Sequence, residues 1–252
     1  MASYEFPFNE RIRALLRLED LFSKVLLNID STEASLHHNV IVSFFQILDI
    51  LERNDLKTDL LQEVDRQKTI MTSLLDNPQI AVDVLQPILE KILLSSVRLR
   101  SIHTKVGQPL RENEWLMAIK QRAVIPGGLC EFDLPSYHFW LNSPASNRQE
   151  DLKSWLEHVM PIHDALTIIL RIVRGSGTPV SNIATNGSYQ QMLGGAKPAQ
   201  MLQIKLDDDL ECYPEISANK YAINIRFISM NRSEKPHPYQ LDVPFSLTLG
   251  NL

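Results

Sequence analysis

The chain is 252 residues long, 44% hydrophobic and 22% charged, with a formal net charge of −5. That composition supplies enough apolar material for one large core or two modest ones and excludes a disordered chain. The acidic balance also argues against a broad nucleic-acid footprint, which needs clustered Lys and Arg; a local cationic site stays compatible with it.

Cys130 and Cys212 lie far apart and outside any Cys-x-x-Cys pattern, so free thiols in a reducing compartment are expected. The N-terminal MASYEFPFNE has neither the basic segment nor the apolar run of a secretory signal. No uninterrupted apolar stretch approaches roughly 18 residues, the length of a membrane span. The expectation is a cytoplasmic protein without membrane insertion.

The first two thirds read as helices. Residues 11–29 set Ile12, Leu15, Leu18, Phe22, Val25 and Leu26 on one broad apolar side, with Arg13, Arg17, Asp20 and Lys24 mostly opposite. Residues 35–53 repeat that length and end on Glu52-Arg53-Asn54-Asp55; 56–76 gives a third helix, interrupted by Asn77-Pro78. Residues 80–99 give a fourth, in which Pro87 marks a kink or an earlier break. Residues 111–124 read as helix, Pro126-Gly127-Gly128 as a sharp connection, LCEFDL (129–134) as a short strand, and SYHFWL (136–141) as the start of a brief helix. A longer helical run over 147–174 carries Pro161, which bends or divides it.

Gly175-Ser176-Gly177-Thr178-Pro179 is the clearest break in composition. Beyond it come extended runs at about 180–191, 200–207, 218–230 and 239–249, separated by Gly, Pro, Asn and Asp. The fold class expected is α+β: a helical bundle over 9–176 and an antiparallel β domain over 177–252, joined by a strand at 1–8 and a short strand near 129–133.

Catalytic and metal signatures are missing from the sequence. There is no His-Glu-x-x-His motif, phosphate loop or dinucleotide fingerprint, and Gly127-Gly128 and Gly194-Gly195 read as turns. His37-His38 are adjacent, and His158 and His163 are five apart, so neither pair shares a helix face as metal ligands would. Asp207-Asp208-Asp209 has no spaced oxygen ligands after it and reads as a strand-end turn. No enzyme, cofactor or metal is expected.

The cations carry more. In KYAINIRF (220–227), alternation puts Tyr221, Ile223, Ile225 and Phe227 on a core side and Lys220, Ala222, Asn224 and Arg226 on the other. Residues 218–240 hold two Lys and two Arg against one Glu, a local charge of +3. Arg13 and Arg17, four apart, share a helix face, and Arg53 stands at a helix end. Arginine takes carboxylates in a bidentate manner, so such a surface suits an acidic peptide. The alternative is single-stranded RNA on a basic sheet face with Tyr221 and Phe227 as stacking groups, which would need those rings outside the core.

LRLEDLF (16–22), ILDILERNDLKTDLLQEVDRQ (47–67), GQPLRENEWLMAIKQRAVIPGGLCEFDLPSYHFWL (107–141) and YPEISANKYAINIRF (213–227) resemble, in order along the chain, the bacterial ZapD family of cell-division proteins. The resemblance implies a homodimer with a helical and a β domain, recruited to the mid-cell septum. It implies a partner, the C-terminal tail of the division GTPase FtsZ, whose filaments the dimer would crosslink or bundle, and it implies no catalysis. The family's basic surface falls here on Arg53, Arg226 and Lys220, with Arg17, Arg111 and Arg122 as secondary positions in matching phrases. These cations are expected to line a groove that takes the tail.

Overall fold

The computed structural model describes residues 2–53, 55–75, 82–194, 199–229 and 235–252, and of residues 53, 82 and 84 the backbone alone. The chain divides into two compact units, one of Leu15–Ile169, the other of Met1–Ala14 with Leu170–Leu252. The Asn77-Pro78 interruption and Gly195 lie outside the described residues.

Helical spacing decides the first unit. Its elements are α1 (Glu10–Asn28, from Leu15 onward), α2 (Ala34–Arg53), α3 (Leu56–Leu74), α4 (Val82–Arg100), α5 (Gln108–Glu112), α6 (Glu114–Ala123), α7 (Pro135–Leu141), α8 (Ala145–Glu157) and α9 (Met160–Gly175, to Ile169). Val40, Ile41, Phe44, Ile47, Leu48 and Leu51 give α2 a buried stripe at three- and four-residue steps, and α6, α7 and α8 pack on it. Each such side chain contributes about 1.5–3 kcal/mol on leaving water. Over Ala34–Glu52 this helix has the length and apolarity of a membrane span, yet half of that stretch is buried inside its own unit, as in a core helix. On α1, Leu26 stands 40% exposed rather than on the buried side.

One helix departs from the sequence expectation at its boundaries, one divides where expected, and Pro87 leaves its helix continuous. The 111–124 helix divides into α5 and α6 because Asn113 adopts extended backbone angles and its Oδ1 accepts the Leu116 N–H at 3.0 Å, an N-cap. The long run over 147–174 divides just before Pro161, which lies in the first turn of α9, where a missing N–H costs nothing. Pro87 neither ends nor divides α4, which is continuous from Val82 to Arg100. The short strand expected near 129–133 does not form: residues 129–133 are turns, closed by Asp133 N–H to Cys130 O at 3.0 Å, so Glu131 and Phe132 stay exposed. α3 and α4 form an antiparallel pair, tied by Lys57 to the Ile102 carbonyl at one end and by Ser96 and Arg100 to Asp65 further along.

The centre of α2, α7 and α8 is aromatic. Trp140 stacks on Tyr137 and Trp155 with centroids 6.1 Å away in both cases, and Trp115 touches all three rings. His38 Nδ1 meets the Tyr137 hydroxyl at 2.8 Å. Arg148, 5% exposed, has no carboxylate partner among the described residues; it donates to the carbonyls of Thr32, Leu141 and Ser143 and to His37 Nδ1 at 3.0 Å. Two connections, α1–α2 and α7–α8, are thereby held by one guanidinium.

Period-two alternation decides the second unit. It contains β1 (Ala2–Pro7), β2 (Val180–Ala184), β3 (Ser188–Met192), β4 (Met201–Leu206), β5 (Cys212–Ala218), β6 (Ala222–Ser229) and β7 (Val243–Gly250). They pair antiparallel in two sheets, β1-β4-β7-β2 and β3-β6-β5. The N-terminal strand does join, Tyr4 opposite Ile204. The inner faces meet through Leu202, Ile204, Phe245 and Leu247 of one sheet and Ile223, Ile225 and Phe227 of the other, with Phe227 5.4 Å from Phe245. Arg174 makes a bidentate pair with Glu5 at 2.7 and 2.8 Å.

The run over 180–191 is two strands that turn at Asn186-Gly187, both with positive φ (49° and 69°), as the type I′ hairpin requires. β5 was not expected, because Pro214 and the acids around it break the strand pattern. Burial raises the pKa of the Cys212 thiol in this core, keeping it neutral.

Arg148→Ala should lower stability by about 2–4 kcal/mol in urea denaturation, since three buried carbonyls lose their donor. Burial depresses the pKa of both His37 and His38 below 6.5, with the Arg148 charge adding to the effect at His37. The unfolded chain therefore binds protons first as pH falls, so stability should drop below about pH 6.5 and level off once the folded-state histidines titrate. His37→Gln with His38→Gln should flatten that slope, read as Tm against pH.

Candidate functional site

β6 is the middle strand of its sheet, so the residues on its solvent face have a neighbour on each side. Arg226 stands opposite Ser188 of β3 and Glu215 of β5; Asn224 lies between Gln190 and Ser217; Ala222 faces Met192. Burial follows the alternation: Ile223, Ile225 and Phe227 are 0% exposed, Asn224 and Arg226 open to solvent. Ser188, Gln190, Glu215, Ser217, Asn224 and Arg226 line an open depression of about 600 Å³. The Arg226 guanidinium makes no ion pair or hydrogen bond among the described residues. Glu215 stands directly across the ladder from it, where cross-strand pairs of opposite charge attract.

Two residues of KYAINIRF leave the strand. β6 starts at Ala222, and Lys220 and Tyr221 form the β5–β6 turn, where the Asn219 side chain accepts the N–H groups of Tyr221 (2.8 Å) and Ala222 (3.1 Å). Tyr221 is thus 61% exposed, not a core residue, and the Lys220 ammonium lies 4.8 Å from its ring centre. Cation–π contact at an exposed site is worth about 0.5–1 kcal/mol and holds the charge beside the sheet face. Phe227 is in the core, so the pair of rings needed for stacking nucleotides is not presented together.

The remaining sequence-derived candidates belong to the helical unit. Arg17 is exposed on α1. Arg53 is the last residue of α2, where a cation suits the negative end of the helix dipole; its side chain lies outside the described residues. Glu52, Asp55, Lys57 and Lys105 line a depression of about 420 Å³ around that helix end. Arg122 pairs with Asp133 at 2.8 Å. Arg111 is engaged in the fold: its guanidinium donates to the carbonyls of Val106 (2.5 Å) and Leu48 (2.7 Å), joining the loop before α5 to α2.

Ser188, Gln190, Met192 and Glu215 complete the sheet face and were not singled out from sequence. A signal existed in Asn186-Gly187, a hairpin turn that places Ser188 at the start of a strand. Which strand it would join was not written locally. Asp207–Asp209 do form a turn after β4, and no cluster of three or more potential metal ligands occurs among the described residues.

The chain is thus a two-unit α+β protein whose open sheet face carries an arginine that makes no ion pair among the described residues. The family model for ZapD, described as a cell division protein, matches residues 16–226. Similar to this chain are the cell division protein ZapD of Dechloromonas aromatica, 48% identical over 253 residues and the full length of both, and that of Aromatoleum aromaticum, 47% identical over 250 residues, 99% of this chain and 97% of the relative. That of Chromobacterium violaceum is 48% identical over 249 residues, 98% of each. The chain belongs to the ZapD family, and its role is in cell division.

Glu215→Gln removes the acid that faces Arg226 and should raise affinity for an anionic peptide about two- to fivefold, measured by fluorescence anisotropy at low salt.

Proposed function

We propose that this chain acts as a cytoplasmic homodimer that binds the C-terminal tail of FtsZ and links FtsZ filaments at the division septum. The observation that carries the reading is Arg226, a guanidinium without a partner among the described residues, on a polar sheet face in a member of the ZapD family. Arg226 and Lys220 take carboxylates of the tail, Arg226 in bidentate fashion and Lys220 as a point charge held at Tyr221. On the helical unit Arg53 is a further cationic position for the partner, with Arg17, Arg111 and Arg122 secondary; Arg122 is engaged by Asp133 and Arg111 by two main-chain carbonyls. Two sites per dimer make a bivalent connector. Once one tail is bound, the second binds at the effective concentration set by its tether, so individually weak contacts suffice to hold filaments together. None of these steps requires chemistry on a substrate.

Titration of the isolated FtsZ tail peptide tests the reading. Arg226→Glu and Arg53→Glu are each expected to weaken binding about tenfold or more, about 1.4 kcal/mol, with the far-UV spectrum and dimer mass unchanged. Undiminished binding by the folded double variant rejects both roles. Single-stranded RNA of equal charge, titrated at the same salt, should bind more weakly than the tail; the reverse order would favour a nucleic-acid role for Lys220 and Tyr221.

A further inference from the structure

The two edges of the sheet β3-β6-β5 are not alike. On β5, the bond from Asn219 N–H to the Ala222 carbonyl (2.9 Å) fixes which residues turn their main chain toward β6. Pro214, one register step from Glu215, turns its backbone outward, so its missing N–H falls on the free edge and blunts it. On β3, the bonds from Leu193 N–H to the Tyr221 carbonyl (2.7 Å) and from Phe227 N–H to the Gly187 carbonyl (2.8 Å) fix the opposite case. Odd-numbered residues bond β6, and the N–H and C=O of Gln190 and Met192 point away from it.

The hairpin closes the Ser188 end of this edge, where Ser188 N–H donates to the Thr185 carbonyl at 3.0 Å. Beyond it, β2 continues into the other sheet, and no main-chain bond reaches the outward groups of Gln190 and Met192 among the described residues. SYQQM carries no charge, proline or bulge, the usual guards of an open edge. The same residues put their side chains on the face that holds Arg226. Met192, opposite Ala222, is 70% exposed at one end of this face.

We propose that an extended segment of an acidic partner adds to the β3 edge as a further strand. Its main chain pairs with Gln190 and Met192, an apolar side chain rests against Met192, and a carboxylate reaches Arg226 over the short Ser188. The proposal rests on the reading of Arg226 as an acidic-peptide anchor and adds how the peptide is held. Main-chain pairing gives affinity, and side-chain pockets on alternate residues give register. Outward residues of β3 recur every ~7 Å, so the pattern taken is an apolar residue with an acid two to four positions away on the same face. A second copy of this chain is the less suitable occupant: pairing two β3 edges would bring two sets of Lys220 and Arg226 onto one sheet without added negative charge. Glu215 stands on the β5 side of Arg226, away from this edge.

Amide hydrogen exchange on the full-length protein tests this without any substitution. Adding the FtsZ tail peptide should slow exchange at Gln190 and Met192 at least tenfold, and unchanged exchange there while the peptide is bound overturns strand addition. Gln190→Pro removes an outward N–H and leaves the β6 ladder intact, so it should weaken peptide binding tenfold or more with the melting curve retained; Gln190→Ala should stay within about twofold. If Arg226→Glu abolishes binding but Gln190→Pro does not, the acidic-peptide reading stands and the edge mechanism fails. A designed extended peptide with Leu and Glu four residues apart separates the remaining cases. Edge protection by this peptide alone keeps the edge site and refutes the FtsZ tail as its occupant, whereas protection by neither refutes both. Conversion of a dimer to a monomer by Gln190→Pro would assign the edge to self-association and overturn the proposal.

Discussion

Burial of one side of β6 is the constraint on which the sheet unit depends. Ile223, Ile225 and Phe227 are fully withdrawn from solvent between the two sheets, and Phe227 packs on Phe245 across the core. A shift of β6 by a single residue would bring Asn224 and Arg226 inward and force the three apolar side chains out. An unpaired guanidinium inside that core would cost several kcal/mol, so the register has one stable solution. The exposure of Arg226 is therefore a by-product of the same packing that folds the unit. Among the described residues it has no partner, Ser188 being too short and uncharged and Glu215 making no close pair.

The helical unit solves a different problem. Its apolar stripes are ordinary, but the loops between α1 and α2 and between α7 and α8 end in carbonyls that helices cannot satisfy. Arg148 collects those carbonyls and uses neutral His37 as a fourth acceptor, so a cation is buried without an acid. This works because a guanidinium has five donors in a fixed plane and three of its acceptors are oriented main-chain dipoles. The arrangement ties His37 to its neutral form, and the nearby Tyr137 hydroxyl, whose pKa burial also raises, ties His38 to the same aromatic packing.

Much of this was legible in local sequence. Most of the buried stripe of α1 and the alternation over 222–227 follow from spacing, because side-chain direction repeats every 3.6 or every two residues, and the turn at Gly127 follows from its residue types. The failures have equally local causes. LCEFDL alternates like a strand, yet residues 129–133 close on themselves as turns through Asp133 N–H to the Cys130 carbonyl. Tyr221 alternates in phase with Ile223, yet Asn219 caps the turn and stops the strand one residue later. β5 went unread because Pro214 forbids a ladder bond on one side only, and which side matters is a property of the sheet.

Residue types and their periods by themselves determined the order of helices and strands, the side of β6 that is buried, and the supply of cations on the other. Only the tertiary structure decided which cations remain available. Arg111 and Arg226 look alike in sequence, but one meets the carbonyls of nearby Val106 and distant Leu48 and the other stands opposite Ser188 and Glu215 with no ion pair among the described residues. Nor could local pattern tell which sheet edge is blunted and which is open. Both depend on pairing between residues far apart in the chain, and the energy of a polar group is set by the partner that folding brings to it.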